Sequence, residues 1–398
     1  MVQQTLREMF SDYVKKEGVF KSKNVLSHTY IPDNTLHREQ QIKQLADILA
    51  PALRGLEISN CFLYGKTGTG KTVVAKTVAS ELGKASKSVK ILYVNCKMKR
   101  VSDTEYRLLA ELCRMLGREV PPTGLPTDAV YGIFHEAVES SGGNLILLLD
   151  EIDALVSKIG DEILYNLTRM NQNLKGTRIS IIGISNSVSF VETLDPRVRS
   201  TLSEEEIIFP PYNSTQLKDI LKQRADVAFS ENALKVGVIE KCSALAAQEH
   251  GDARKALDLL RIAGELAERM GSPSVGIEHV DTAEDKLDTD RMIEIVRAQP
   301  KQSLAVLAGV IKLIESGVKS IQTGDVFVVY EKLCPQAGLK MLTHRRVSDL
   351  IAELDMLGVI TTSVISKGRY GRTREIRVTL SKPIIEKIRD ILKENYLF

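Results

Sequence analysis

Gly65–Thr72 reads GKTGTGKT and follows directly on the apolar run CFLY, Cys61–Tyr64. It matches the pattern GxxxxGK followed by serine or threonine. At ordinary residue frequencies, with glycine at about 7%, that pattern arises by chance in roughly 1% of chains this long. A plain glycine-rich turn between strand and helix is therefore the weaker reading. Gly65, Gly68 and Gly70 let the backbone turn so that its N–H groups face an anion, and Lys66, Thr67 and Thr69 complete the curve. A helix opening near Gly70 adds the positive end of its dipole. In such a loop Lys71 reaches the β and γ phosphates of a nucleotide and the Thr72 hydroxyl holds Mg²⁺.

The surroundings decide the fold class. Short, almost continuously apolar runs alternate with helical patterns: CFLYG, KILYVNC, NLILLLD, RISIIGIS and EEIIF. Runs of that kind are parallel strands buried on both faces, so the expectation is an α/β sheet. LILLLDEID ends its strand in Asp150 and Glu151. Asp150 is placed to hold Mg²⁺ through water and Glu151 to polarise an attacking water, although a helix N-terminus also favours carboxylates. RISIIGIS ends in SNS, which puts Asn186 where its amide can meet a γ-phosphate or that water. By itself a strand-end Asn is a turn residue. Beyond YNSTQLKDIL the patterns are helical up to about residue 287, and HGDARKALDLL places Arg254 in a first helical turn, able to reach back across a cleft.

Composition sets the outer limits. The 398 residues are 43% hydrophobic and 26% charged, with a net charge of +3. That is a soluble, globular balance which needs two or three domains and names no partner. No stretch approaches the roughly 18 apolar residues of a membrane span, and the start MVQQTLREMFSDYVKKEG lacks signal-peptide order. The expectation is a cytoplasmic, nucleoid-associated protein with no membrane partner. Cys61, Cys96, Cys113, Cys242 and Cys334 are widely spaced, odd in number and mostly in apolar runs; they read as reduced core residues.

The C-terminal part carries a second signature. The helical stretch TGDVFVVYEKLCP precedes THRRVSDLIAELDMLG, which begins with Thr343, His344, Arg345 and Arg346. Two strand-like runs, GVITTSVISK and TREIRVTL, then bracket a glycine-flexed tip bearing Lys367, Arg369, Tyr370, Arg372 and Arg374. This is a helix-turn-helix followed by a basic β-hairpin, a winged helix. Its second helix is expected to present N-terminal residues to base edges and its wing to follow the backbone of duplex DNA. A solvated basic hairpin is the alternative.

Taken in order, GKTGTGKT, LLLDEID, SNS and GDARKALDLL resemble the motifs of AAA+ ATPases, and GDARKALDLL is similar to the second-sensor motif of their initiator branch. YIPDNTLHREQQI resembles the segment that precedes the ATPase core in archaeal origin-recognition and cell-division-cycle initiators. The resemblance covers nearly the whole chain. It implies ATP or ADP with Mg²⁺ as cofactors, Lys71 and Thr72 on nucleotide and metal, Asp150 and Glu151 as the acidic pair, Asn186 as first sensor and Arg254 as second. It also implies that Ile31 and Pro32 pack near the adenine. Arg197 and Arg199 fall where such proteins carry an arginine that completes a neighbour's site, but Thr201 stands where close patterns have a further basic residue. Arg197 is therefore read either as that arginine or as half of a local ion pair.

The resulting expectation is an AAA+ P-loop core with its arm (1–212), a small helical lid (213–288) and a winged-helix domain (289–398). One phosphate loop in one chain excludes a two-lobed motor, leaving an oligomer or a switch. The function implied is a replication initiator with slow ATP turnover that binds and deforms origin duplex DNA and helps load the replicative helicase, with related initiator subunits as further partners. An ATP-gated transcription regulator and an oligomeric AAA+ remodeller are the alternatives.

Overall fold

The structure, a computed structural model, describes residues 18–32, 34–98, 103–121, 123–202, 205–318, 320–366 and 372–397, with the backbone alone at Ser366, Arg372 and Lys382. Two compact units divide the chain between Val280 and Asp281.

In the first unit, α1 (Glu39–Leu49) and β1 (Cys61–Tyr64) lead through the glycine loop into α2 (Lys71–Ala85) and β2 (Val89–Asn95). Then come α3 (Glu105–Met115), α4 (Thr127–Glu139), β3 (Gly143–Asp150), α5 (Ile152–Ile159), α6 (Glu162–Met170), β4 (Thr177–Ser185), α7 (Pro196–Leu202) and β5 (Glu205–Ile208). The described strands form a parallel sheet in the order β2-β3-β4-β1-β5. Each apolar run of the sequence has become a strand, and its side chains divide by alternation. Phe62, Tyr64, Leu145, Leu147, Leu149, Ile179 and Ile181 face one apolar cluster. Cys61, Leu63, Ile146, Leu148, Ile182 and Ile184 face the other, together with Val74, Ala75 and Val78 of α2. Burial on both faces is why the runs show no polar alternation.

The helices that follow are α8 (Ser214–Ala228), α9 (Val238–Gln248) and α10 (Ala253–Arg269), and then α11 (Ile277–Arg297), which runs across the division between units. Asn213 and Gln216 form a reciprocal capping box at the start of α8, which satisfies two otherwise orphaned N–H groups. The arm lies on this helical layer. Lys21 and Ser22 donate backbone N–H groups to Ala228 O, Ser230 donates to Val19 O, and the Phe20 ring packs tilted against Phe229 with centroids 4.8 Å apart. A Cβ on Gly264 would stand 2.3 Å from the Phe20 ring, so glycine is what lets the arm seat there.

The second unit continues with α12 (Lys301–Glu315), β6 (Ile321–Gln322), α13 (Thr323–Gln336), α14 (His344–Met356), β7 (Thr361–Ser366), β8 (Arg372–Arg377) and α15 (Lys382–Glu394). β6, β8 and β7 pair antiparallel in that order. Val306, Val310, Tyr330, Val347, Ile351, Ile376, Ile388 and Leu392 pack in one core. The helix-turn-helix and hairpin are as expected; β6 and α15 are additions. All five cysteines are buried, with no disulfide among them.

Candidate functional site

Strand register brings the separate motifs to one edge. Tyr64 lies opposite Ser185 and Asp150 opposite Ile184. Gly65, Glu151 and Asn186 therefore leave β1, β3 and β4 at nearly the same level, at the carboxyl ends where open α/β sheets hold ligands. Gly70 caps α2 with a φ of +92°, a conformation that glycine adopts without strain.

Lys71 is folded back over the loop. Its Nζ donates to Gly65 O and Lys66 O at 2.7 Å each and to Asn186 Oδ1 at 3.0 Å. Burial, and then the charge of Arg254, push its pKa down to about 8, while Asp150, Glu151 and Asp153 pull the other way. A phosphate set beside the ammonium would oppose that depression.

The acidic pair is divided between two environments. Asp150 Oδ2 accepts from Thr72 Oγ1 at 3.1 Å and from Tyr93 OH at 2.9 Å. Burial, and then Asp150, push the Tyr93 phenol above its ordinary range, so it stays a donor. Thr72 and Asp150 supply the hard oxygen donors that Mg²⁺ takes in small number beside water and phosphate, and their adjacency fits that ion. Glu151 sits at the N-terminus of α5 with φ +58° and ψ +46°, a left-handed conformation uncommon outside glycine and concentrated at functional sites. Its Oε2 accepts from Asn186 Nδ2 at 2.7 Å. Lys71, Asn186 and Glu151 thus form one hydrogen-bonded chain.

A cavity of about 340 Å³ opens over this edge, and its lining includes Ile31, Pro32, Thr67, Lys71, Asn186 and Arg254. Ile31 and Pro32 come from the arm, and Arg254, itself exposed, from the first turn of α10. Sequence reasoning did not single out Arg38. Its side chain is 2% exposed, with Nε donating to Thr69 O at 2.9 Å and Nη2 to Pro210 O at 2.6 Å. Its guanidinium lies 3.7 Å from the Tyr212 ring centroid. Burial pushes its pKa down, with Tyr212 opposing. The side chain braces the phosphate loop against the exit from β5. In the polar run HREQQI nothing marks it as buried. Tyr93, inside an apolar strand, was equally silent.

Arg197 and Arg199 are both exposed on α7. Arg197 Nε pairs with Asp195 Oδ1 at 3.1 Å, the local ion pair weighed from the sequence.

In the second unit Thr343 caps α14 by accepting from Arg346 N–H. Thr343, His344, Arg345 and Arg346 are all exposed. The His344 ring lies 5.1 Å from that of Phe327, and Arg346 Nη1 reaches Glu353 Oε1 at 3.1 Å. Arg374 differs from the expected outward contact: it is half-buried, and Nη1 donates to Ser348 O at 2.9 Å, bracing the wing strand on α14. Lys367, Arg369 and Tyr370 lie outside the described residues, and Arg372 is described by its backbone in β8. Among the described residues no helix is long and apolar enough to cross a membrane.

An AAA domain family matches residues 58–189, the Cdc6 AAA+ ATPase-type lid domain residues 218–285 and the CDC6 C-terminal winged helix domain residues 294–388. The ORC1-type DNA replication protein of Pyrococcus furiosus is 50% identical, the match covering 98% of this chain and 94% of that protein. ORC1-type DNA replication protein 1 of Methanosarcina mazei is also 50% identical, over 99% and 95%. The structure of the Aeropyrum pernix ORC1 protein in complex with DNA is similar with a TM-score of 0.80 and 42% identity, covering 96% of this chain and 99% of that one. At this identity over nearly the whole length of both chains, the chain belongs to the ORC1-type DNA replication protein family.

Proposed function

We propose that this protein is an ATP-dependent replication initiator. It holds ATP and Mg²⁺ in the cleft above the sheet, binds origin duplex DNA through α14 and the wing, deforms it, and helps load the replicative helicase. The observation that carries the reading is the convergence of Lys71, Asn186 and Glu151, hydrogen-bonded in series, with Thr72 and Asp150 beside them and the lid's Arg254 on the same cavity. DNA binding is supported by the exposed Thr343–Arg346 run and by the relative solved with DNA.

Within the cleft, Lys71 neutralises phosphate charge and Asn186 fixes both that lysine and Glu151. Glu151 takes the proton of the attacking water. Mg²⁺, when held by Thr72 and Asp150, supplies charge neutralisation at the β and γ phosphates. Each phosphate contact made by both core and lid tightens the closed state in proportion to its differential strength in ATP and ADP. Slow turnover thus makes the nucleotide a switch, and DNA affinity follows its state through linkage.

The test is selection from random duplex DNA by the purified protein, run in parallel with ATP and ADP. An enriched motif whose affinity depends on the nucleotide is the expected result. Salt-sensitive binding without a motif would leave a nonspecific loader, and no binding would remove DNA from the reading.

A further inference from the structure

Asp252 belongs to none of the groups described above, yet its carboxylate stands where the lid meets the phosphate loop. Oδ1 accepts from the backbone N–H of Arg254 at 2.7 Å and of Lys255 at 3.4 Å, capping α10. Oδ2 accepts from Thr67 Oγ1 at 3.5 Å, across 185 residues of sequence. The same carboxylate fills the notch over Gly68, where an added Cβ would stand 1.6 Å from Oδ1 and 2.9 Å from Oδ2. Alongside, Ala253 N–H donates to Gly68 O at 3.2 Å. Loop and lid helix therefore meet through a side chain, a backbone hydrogen bond and a glycine that leaves room for both.

Arg254 follows within this anchored turn. It lines the cavity that Lys71 also lines, so the anchored turn holds Arg254 on the same cleft as the phosphate-binding lysine. From this geometry we propose that Asp252 is a positioning residue, registering the lid on the phosphate loop and aiming Arg254 at the nucleotide's phosphates. The proposal rests on the ATP reading given above.

Two other roles for Asp252 predict different outcomes. As a helix cap alone, it is replaceable by serine, which caps as well but is too short to fill the notch over Gly68. As a bare charge beside an anion site, it repels phosphate, and its removal strengthens binding. A positioning role alone predicts that serine weakens binding.

The experiment is ATP and ADP titration by calorimetry of the wild-type protein, Asp252→Ser, Arg254→Ala and the double variant. Each single substitution is expected to weaken ATP about 10-fold and ADP less, with the double no weaker than Arg254→Ala, because misaimed and absent arginines are equivalent. Asp252→Asn, which keeps shape and cap, is expected within about threefold of wild type by the same cap ranking. ATP binding by Asp252→Ser equal to or tighter than wild type would overturn the proposal, as would additive losses in the double variant. Hydrogen exchange on the unsubstituted protein gives an independent check: the Ala253 amide is protected without nucleotide, and rapid exchange there would also overturn it. A wild-type protein that binds neither nucleotide would instead sink the ATP reading itself.

Discussion

Asn186 donates from Nδ2 to Glu151 Oε2 at 2.7 Å while its Oδ1 accepts from Lys71 at 3.0 Å, so one amide orients both a carboxylate and an ammonium. Asn186→Ala is expected to reduce ATP hydrolysis about 100-fold, the lower end for loss of positioned acid–base catalysis. Single-turnover hydrolysis measures it; an unchanged rate would detach Asn186 from the chemistry.

Glu151 is held in a left-handed conformation at the head of α5, and glutamine fits the same backbone and volume. Glu151→Gln should bind ATP as the wild type does and hydrolyse it on the order of 1,000-fold more slowly. Full turnover in that variant would assign the water to another base.

The depressed Lys71 pKa gives a pH dependence with a defined sign. In the nucleotide-free protein the ammonium begins to lose its proton near pH 8, well below the unfolded value of 10.5. Unfolded chains bind the extra proton between those values, so this group's contribution to stability increases from about pH 8 to about 10.5. ATP needs the charged form, so its binding takes up a proton above pH 8 and weakens there by up to about tenfold per pH unit. Calorimetry in buffers of different ionisation enthalpy reads the uptake directly.

Arg38 donates to three carbonyl oxygens, those of Thr69, His37 and Pro210. Arg38→Met removes charge-assisted bonds from a buried site and should destabilise the first unit by roughly 3 kcal/mol. Urea unfolding of the full chain is the measurement, and a loss below about 0.5 kcal/mol, the range of ordinary surface substitutions, would show the brace to be idle.

Arg374 and Arg345 are expected to separate. Arg374→Ala breaks the bond to Ser348 O and should lower winged-helix stability by about 1.5 kcal/mol. Arg345→Ala, on the exposed start of α14, should leave stability within about 0.5 kcal/mol and weaken DNA binding. If Arg345 meets phosphate, the salt slope falls by about one; an unchanged slope with relaxed sequence preference places it on a base.

How much of this could be read beforehand depended on whether the signal was local. The phosphate loop and the strands around it announced themselves because every constraint on them lies within a few residues: glycines for the turn, a lysine for charge, apolar runs for two-sided burial. Asp150, Glu151 and Asn186 were legible because each lies within two residues of the end of such a run. Arg38, Tyr93 and Asp252 owe their positions to partners far away in sequence, at Thr69, Asp150 and Thr67, and no local pattern carries that information. β6 is too short to alternate, and α15 follows the hairpin without a glycine-marked break. Arg374 looked like its neighbours in a basic run; only the fold turns it inward to a carbonyl.

The arm has a mechanical consequence. Residues 19–22 are stitched to Ala228 and Ser230 before the chain passes along the cleft to Arg38, and the chain passes again from core to lid at Pro210–Asn213. The lid is thus held by two straps, one of them non-covalently sewn at its far end, and both lead to the same arginine. Two straps that converge on one residue restrict the relative motion of lid and core more than one would, and Arg38 over the Tyr212 ring lies where they meet.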